Sequence, residues 1–194
     1  VSSRVTGDID LAVAVLAEGG VIALPTETVY GLAADATNAA AVRRVFAIKG
    51  RPRDHPLIVH IADPDDLERW GAEASPAARR LASLAWPGPL SLIVWRGAAI
   101  ASEVTGGLPT MAVRCPAHPM AREVIRRLGR PVAAPSANRF GRVSPTTAQH
   151  VADDLGDDVD VILDGGPCDI GVESTVVDCT TDPVQLLRPG SLSA

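Results

Sequence analysis

Residues 21–28 read VIALPTET. The first four are a continuous apolar run, the pattern of a strand buried on both faces. Pro25 stops it, because proline has no N–H to give to a ladder. Two hydroxyls and a carboxylate, Thr26, Glu27 and Thr28, then follow directly. The same arrangement returns twice. PVAAPS (131–136) runs into the polar turn Ser136–Ala137–Asn138, and GVEST (171–175) brings polar groups up to the apolar VVDC. Polar clusters at the ends of buried strands suit an open α/β sheet, whose ligand sites form where loops converge at strand ends.

Helical segments separate these strands. Apolar positions 9, 12, 13 and 16 give 8–18 one helical face, and Gly19–Gly20 end it. Asn38 is a cap for a helix AAAVRRVFAIK that Gly50 closes. Residues 64–70 and 76–85 read as helices with proline near the first turn, and 118–128 as another. Ser144–Pro145 reads as the N-cap and first residue of a further helix, whose free N–H groups would form an anion site. LIVHIA (57–62), LSLIVW (90–95), MAVRC (111–115), VDVILD (159–164), STVVDC (174–179) and VQLLR (184–188) read as strands. RGAAIASEVTGGLP (96–109) has no sustained period and reads as a mobile, lid-like loop. The expectation is one α/β domain over 1–194, a mixed sheet with helices on its faces.

Composition narrows the function classes. The 194 residues are 46% hydrophobic and 21% charged, with a net charge of −5. That is a globular composition, and too acidic for a surface dedicated to nucleic acid, so a polyanion would have to meet a local cationic pocket. No apolar run reaches the roughly 18 residues of a membrane span, and the polar opening VSSRVTGDID does not suit a secretory signal. Cys115, Cys168 and Cys179 are odd in number and lack zinc-ligand spacing, which points to free thiols in a reducing cytoplasm.

Lys49, in KGRPRDHP, is the one lysine among 18 Lys and Arg residues. A cation at a helix C-terminus is ordinary, but an arginine would serve that purpose equally. A compact ammonium suits a point between several phosphate or carboxylate oxygens, and Arg51 adds a planar fork. Asp54 and His55 are either loop contacts or ligand contacts. Tyr30 and Gly31 suit an unusual turn framing a small polar ligand, with Thr28 beside it. Arg114 sits in an otherwise apolar strand and requires an anionic partner, either a protein carboxylate or a ligand carboxylate. No catalytic triad, P-loop or G-x-G-x-x-G is present, and Cys115 stands in apolar surroundings. The chemistry suggested is positioning and charge neutralisation.

Taken together, PTETVYGL, KGRPRDHPLIVHI, WPGPLSLIV, MAVRCP, PSANRFGRVSPT, GVESTVVD and LLRPG resemble the YrdC-like family of threonylcarbamoyl-AMP synthases over about residues 19–190. The resemblance implies a twisted mixed parallel and antiparallel sheet, flanked by helices around a large cationic cavity. It implies condensation of L-threonine, bicarbonate and ATP to L-threonylcarbamoyladenylate and pyrophosphate, with Mg²⁺ accompanying ATP. A partner transferase complex would then use the product to modify adenosine 37 of tRNA, with weak tRNA contact here at most. The family's Lys-Arg-Ser-Asn set is matched by Lys49, Arg51, Ser136 and Asn138. ATP would be held by these four with His55, Thr110, Ser144 and Arg188. Threonine would be held by Thr28, His60, Arg114, Ser174 and the backbone at Ala134, with Arg114 on its carboxylate. His55 stands where relatives often have Asn. With little chain after RPG, the sequence resembles the short bacterial-type members. Rival readings are a hydrolase on the same fold and an RNA-binding module using the same cavity.

Overall fold

The computed structural model describes residues 4–192. Ten strands form one sheet: β1 (Val5–Thr6), β2 (Ile22–Leu24), β3 (Gly31–Asp35), β4 (Ile58–His60), β5 (Leu90–Trp95), β6 (Thr110–Arg114), β7 (Val132–Ala133), β8 (Val161–Leu163), β9 (Thr175–Asp178) and β10 (Gln185–Arg188). Their order across the sheet is β1-β8-β2-β3-β7-β4-β6-β5-β9-β10. The β1–β8, β8–β2, β4–β6 and β5–β9 pairs are parallel, and the remaining neighbours are antiparallel. Six helices accompany them: α1 (Ile9–Ala17), α2 (Ala39–Lys49), α3 (Asp66–Trp70), α4 (Pro76–Ala85), α5 (Pro119–Leu128) and α6 (Ala148–Leu155). A mixed sheet with flanking helices is therefore the architecture.

The helix ends follow their local chemistry. Asn38 Oδ1 accepts from the N–H groups of Ala40 and Ala41, and Gly50 closes α2 in the left-handed region at φ 63°. That cap fixes the last turn of α2 and, with it, Lys49. Asp8, Ser75 and Thr147 cap α1, α4 and α6 through their side chains.

Alternation along the strands divides the sheet into two faces. Ala23, Leu32, Ala34, Ala133, Val59, Val113 and Leu92 share one apolar core with α2, α3, α4 and α6. On the other face, Ile22, Leu24, Ala33, Val132, Ala134 and Leu163 pack under α1 and α5. Those two helices cover only the β8-β2-β3-β7 half. Continuing along that face, Ile58, Ala112, Ile93 and Asp178 are register partners and all are half-buried. His60 and Arg114 are register partners on the same face, with Ser91 of β5 beside Arg114. One half of this face is thus closed by helices and the other is an open trough with a polar end.

One strand has no signal in the sequence, and three expectations are corrected. GLAAD forms β3, a wholly buried strand whose small residues carry little strand propensity. Gly31 therefore makes no unusual turn; a Cβ there would lie 3.1 Å from the Ala134 Cβ, so it permits close strand contact. Ser144 is not a helix cap. The carbonyls of Pro145 and Thr146 accept from Tyr30 N and Cys168 N, which holds both residues out of a helix, and α6 starts after Thr147, whose hydroxyl accepts from His150 N. The 96–109 segment is not a loose lid. Ile100, Val104 and Thr105 are buried, Ser102–Thr105 forms a 3₁₀ turn, and Leu57 N and Ala101 N tie it to the core.

Candidate active site

Two clusters lie around the open half-face, and the 173–174 segment joins them. In the first, β4, β6 and β5 present His60, Arg114 and Ser91 side by side, all buried. The PTET loop after β2 folds against them. Thr26 Oγ1 accepts from Thr28 N and Val29 N and donates to Val29 O, which locks the turn. The Arg114 guanidinium is only partly hydrogen-bonded, its Nη2 having no hydrogen-bond acceptor among the described residues. Its Nε donates to Gly88 O at 3.1 Å and its Nη1 to Thr28 Oγ1 at 2.9 Å. Its Nη2 lies 2.7 Å from Glu27 Oε1, with the two side chains only 4% and 8% exposed. That contact is off the line of a hydrogen bond, so neither Glu27 oxygen has a hydrogen-bond donor among the described residues. The partner Arg114 requires is thus Glu27. A substrate carboxylate would have to join an existing ion pair.

His60 is a neutral imidazole. Burial, and then the Arg114 charge, push its pKa down to about 3, while Nδ1 lies 3.2 Å from Ile58 O. Ser174 Oγ is 2.8 Å from Ser91 Oγ. Ala134 is buried, its N–H donating to Ile58 O at 2.9 Å.

The second cluster is built from loops. Lys49 Nζ donates to Ser136 O and, at 2.6 Å, to Asn138 O. Phe140 N returns a bond to Lys49 O at 2.8 Å. The Asn138 amide donates to Arg139 O and Arg142 O, fixing the turn. Burial, reinforced by the Arg51 charge, lowers the Lys49 pKa to about 8. Arg51 donates to His55 O and Pro56 O, and its guanidinium lies 5.9 Å from the Phe140 ring centroid. The His55 ring packs edge-on against the same ring at 5.6 Å. Ser144 Oγ donates to Glu173 Oε1 at 2.8 Å. Arg188 donates to Ser174 O and, at 3.1 Å, to Ser174 Oγ.

The structure thus brings Lys49, Ser136 and Asn138 into direct contact, places Arg51 with His55, and groups Ser144, Arg188 and Ser174 around residue 173. Thr110 opens β6 opposite Trp95, at the far end of that strand from Arg114, and hydrogen-bonds to none of the others through its side chain. Tyr30 is wholly buried, and its hydroxyl donates to Gly166 O at 2.7 Å. Cys115 is no nucleophile, since burial pushes its thiol up to about 12. A groove of about 620 Å³ runs along the outer side of the second cluster, where Asn138 and Ser144 meet His150 and Asp154.

A profile of the Sua5/YciO/YrdC family, described as "Telomere recombination", matches residues 14–190. The chain belongs to the Sua5/YciO/YrdC family. It is 50% identical over 184 residues to the threonylcarbamoyl-AMP synthase of Pyrococcus abyssi, covering 95% of this chain and 54% of that one. It is 51% identical over 183 residues to the threonylcarbamoyl-AMP synthase of Bacillus subtilis, covering 94% and 53%. The solved structure of P. abyssi Sua5 complexed with L-threonine superposes with a TM-score of 0.93 at 50% identity, over 95% of this chain and 54% of that one. The chain spans about half the length of these relatives.

Within this Sua5/YciO/YrdC chain, three further residues belong to the site. Ser91 is the one polar side chain in LSLIVW, and that isolation in a buried strand was its signal. Glu27 and Glu173 were visible as carboxylates in polar motifs, but their cationic neighbours are distant in sequence. Among the described residues no group of three or more His, Cys, Asp or Glu side chains could hold a metal ion, and no helix is long and apolar enough to cross a membrane.

Proposed function

We propose that this chain condenses L-threonine, bicarbonate and ATP to L-threonylcarbamoyladenylate and pyrophosphate. The observation that carries the reading is the Lys49 ammonium held on the carbonyls of the Ser136–Asn138 turn. It joins two segments almost ninety residues apart into one cationic corner beside the His60–Arg114 trough. The name borne by the P. abyssi and B. subtilis relatives, and the threonine bound to P. abyssi Sua5, support the same reading.

The roles follow from the chemistry. Threonine lies in the trough with its carboxylate on the Arg114 side, near Thr28, Ser174 and the Ala134 backbone. The neutral His60 serves its hydroxyl as a hydrogen-bond partner. Its amine, once uncharged, attacks the carbon of bicarbonate with loss of water, or of CO₂ with loss of an amine proton, to give a carbamate anion. That anion must attack the α-phosphate, so two negative groups have to approach. Lys49 and Arg51, with Arg188, Ser136, Asn138, Ser144, His55 and Thr110 positioning the nucleotide, supply fixed positive charge there, and pyrophosphate leaves in line. Mg²⁺ fits as an ion carried on the triphosphate, where it would neutralise phosphate charge. Hydroxyls and cations predominate here, and the nearby carboxylates Glu173 and Asp154 are already engaged by Ser144 and by Arg139 and Arg142, which suits no all-protein cage. The product would pass to a cytoplasmic transferase complex acting on tRNA.

A hydrolase reading is disfavoured by the intact set of Lys49, Arg51, Ser136 and Asn138, and an RNA-binding module by the net charge of −5. The test is pyrophosphate release with threonine, bicarbonate or ATP omitted in turn. All three are required on this reading. Lys49→Ala should lower the rate on the order of 10²–10³-fold, as for other electrostatic stabilisers. Turnover without threonine, or binding of tRNA without turnover, would refute it.

A further inference from the structure

Glu173 lies among the residues assigned above to ATP, yet it is itself an anion. Ser144 Oγ donates to its Oε1 at 2.8 Å, and Arg188 Nη2 stands 3.8 Å from its Oε2. Its charge also favours the protonated forms of Lys49 and Arg51. Of the groups expected on phosphate, Ser144 therefore donates to this carboxylate in the empty protein, Arg188 stands next to it, and Lys49 and Arg51 feel its charge from further off. A carboxylate and a phosphoryl group present the same feature to N–H and O–H donors, a charged oxygen acceptor. They cannot share those donors, because like charges at contact disfavour both ionised forms.

The carboxylate is also able to leave. Its side chain is 39% exposed, against 8% for Glu27 at the other cluster. The next residue is anchored, since Ser174 accepts from Arg188 through both its carbonyl and its hydroxyl and meets Ser91. Rotation of the Glu173 side chain can thus vacate the donors while the backbone stays in place.

We propose that Glu173 occupies a phosphate subsite in the empty protein, is displaced by the nucleotide, and thereby selects a strongly charged polyphosphate over weaker anions. On return it competes with the departing pyrophosphate and hastens its release. This role rests on the ATP-binding reading above.

The test is isothermal titration of inorganic pyrophosphate and of a non-hydrolysable ATP analogue into wild type, Glu173→Gln and Glu173→Asp, in EDTA and in Mg²⁺. Glutamine keeps the shape and removes the competing charge. It should bind pyrophosphate in EDTA at least about tenfold more tightly than wild type, given a like charge near a protein surface. Aspartate keeps the charge and should stay within about threefold of wild type. Equal or weaker binding by Glu173→Gln in EDTA overturns the proposal. So does a loss confined to Mg²⁺, which would make Glu173 a contributor through the cation. Failure of the analogue to bind even wild type would instead refute the ATP reading, and this role with it.

Discussion

Arg114 and Lys49 are both buried cations facing oxygen atoms, but the oxygens differ in kind. Arg114 has a permanent counter-ion. Glu27 is sealed into the same core, 2.7 Å away, and the guanidinium also donates to Gly88 O and Thr28 Oγ1. Lys49 has only carbonyl dipoles in contact, and its nearest anionic influences, Glu173 and Asp154, act from a distance. The first centre is charge-balanced, with hydrogen-bonding capacity left over on Arg114 Nη2 and on Glu27. The second bears an uncompensated desolvation cost, visible as a pKa of about 8, which an arriving phosphate would relieve. The protein thus holds a charge-balanced cluster at the sheet and a positively charged one at the end of α2 and in the loops beside it.

The largest effect expected from breaking this contrast is at the charge-balanced centre. Glu27→Gln leaves a buried guanidinium without its counter-ion and should cost about 3–5 kcal/mol of stability. Urea unfolding measures it. The double variant Glu27→Gln/Arg114→Gln, which removes both charges, should recover part of the loss. Equal stability of Glu27→Gln and wild type would mean that Arg114 is not held by that pair.

The second centre should respond to pH. Phosphate binding needs the Lys49 cation, so affinity for the ATP analogue should weaken as pH rises above about 8, and Lys49→Met should lose that inflection. Stability moves in the opposite sense. A lysine whose folded pKa of about 8 lies below its ordinary value of 10.5 binds fewer protons folded than unfolded in that window. Wild type should therefore gain stability relative to Lys49→Met as pH rises from 8 to 10.5. A flat difference across that range would place the ammonium in water. His60, by contrast, should show no imidazole titration between pH 5 and 9 in NMR spectra, because its pKa lies near 3.

The smallest effect separates two neighbouring hydroxyls. Thr147→Ala removes the α6 cap and should cost about 1 kcal/mol. Ser144→Ala caps nothing, so its stability change should be smaller while its binding of the ATP analogue changes. A reversed ranking in thermal melts would return the cap to Ser144.

Much of this contrast was legible in the sequence where the relevant forces are local. Asn38 and Gly50 bracket α2 because side-chain and left-handed caps act within a few residues, and that places Lys49. The run-then-polar pattern of VIALPTET and PVAAPS located the strand ends. What stayed hidden depends on distant partners. GLAAD becomes a strand because β2 and β7 flank it, not through its own propensity. Ser144 loses its helix to backbone bonds from Tyr30 and Cys168. Residues 96–109 lack a period, yet Val104 and Ile100 plug the core. Glu27 and Glu173 are ordinary loop acids until the fold sets each against its arginine.

The most direct test of the central claim is a crystal structure with L-threonine and a non-hydrolysable ATP analogue bound together. The account predicts threonine over His60 and Arg114, phosphates against Lys49, Arg51, Ser144 and Arg188, and the Glu173 carboxylate turned away. Nucleotide phosphates lodged in the outer groove at His150 and Asp154, with Glu173 still on Ser144, would contradict it.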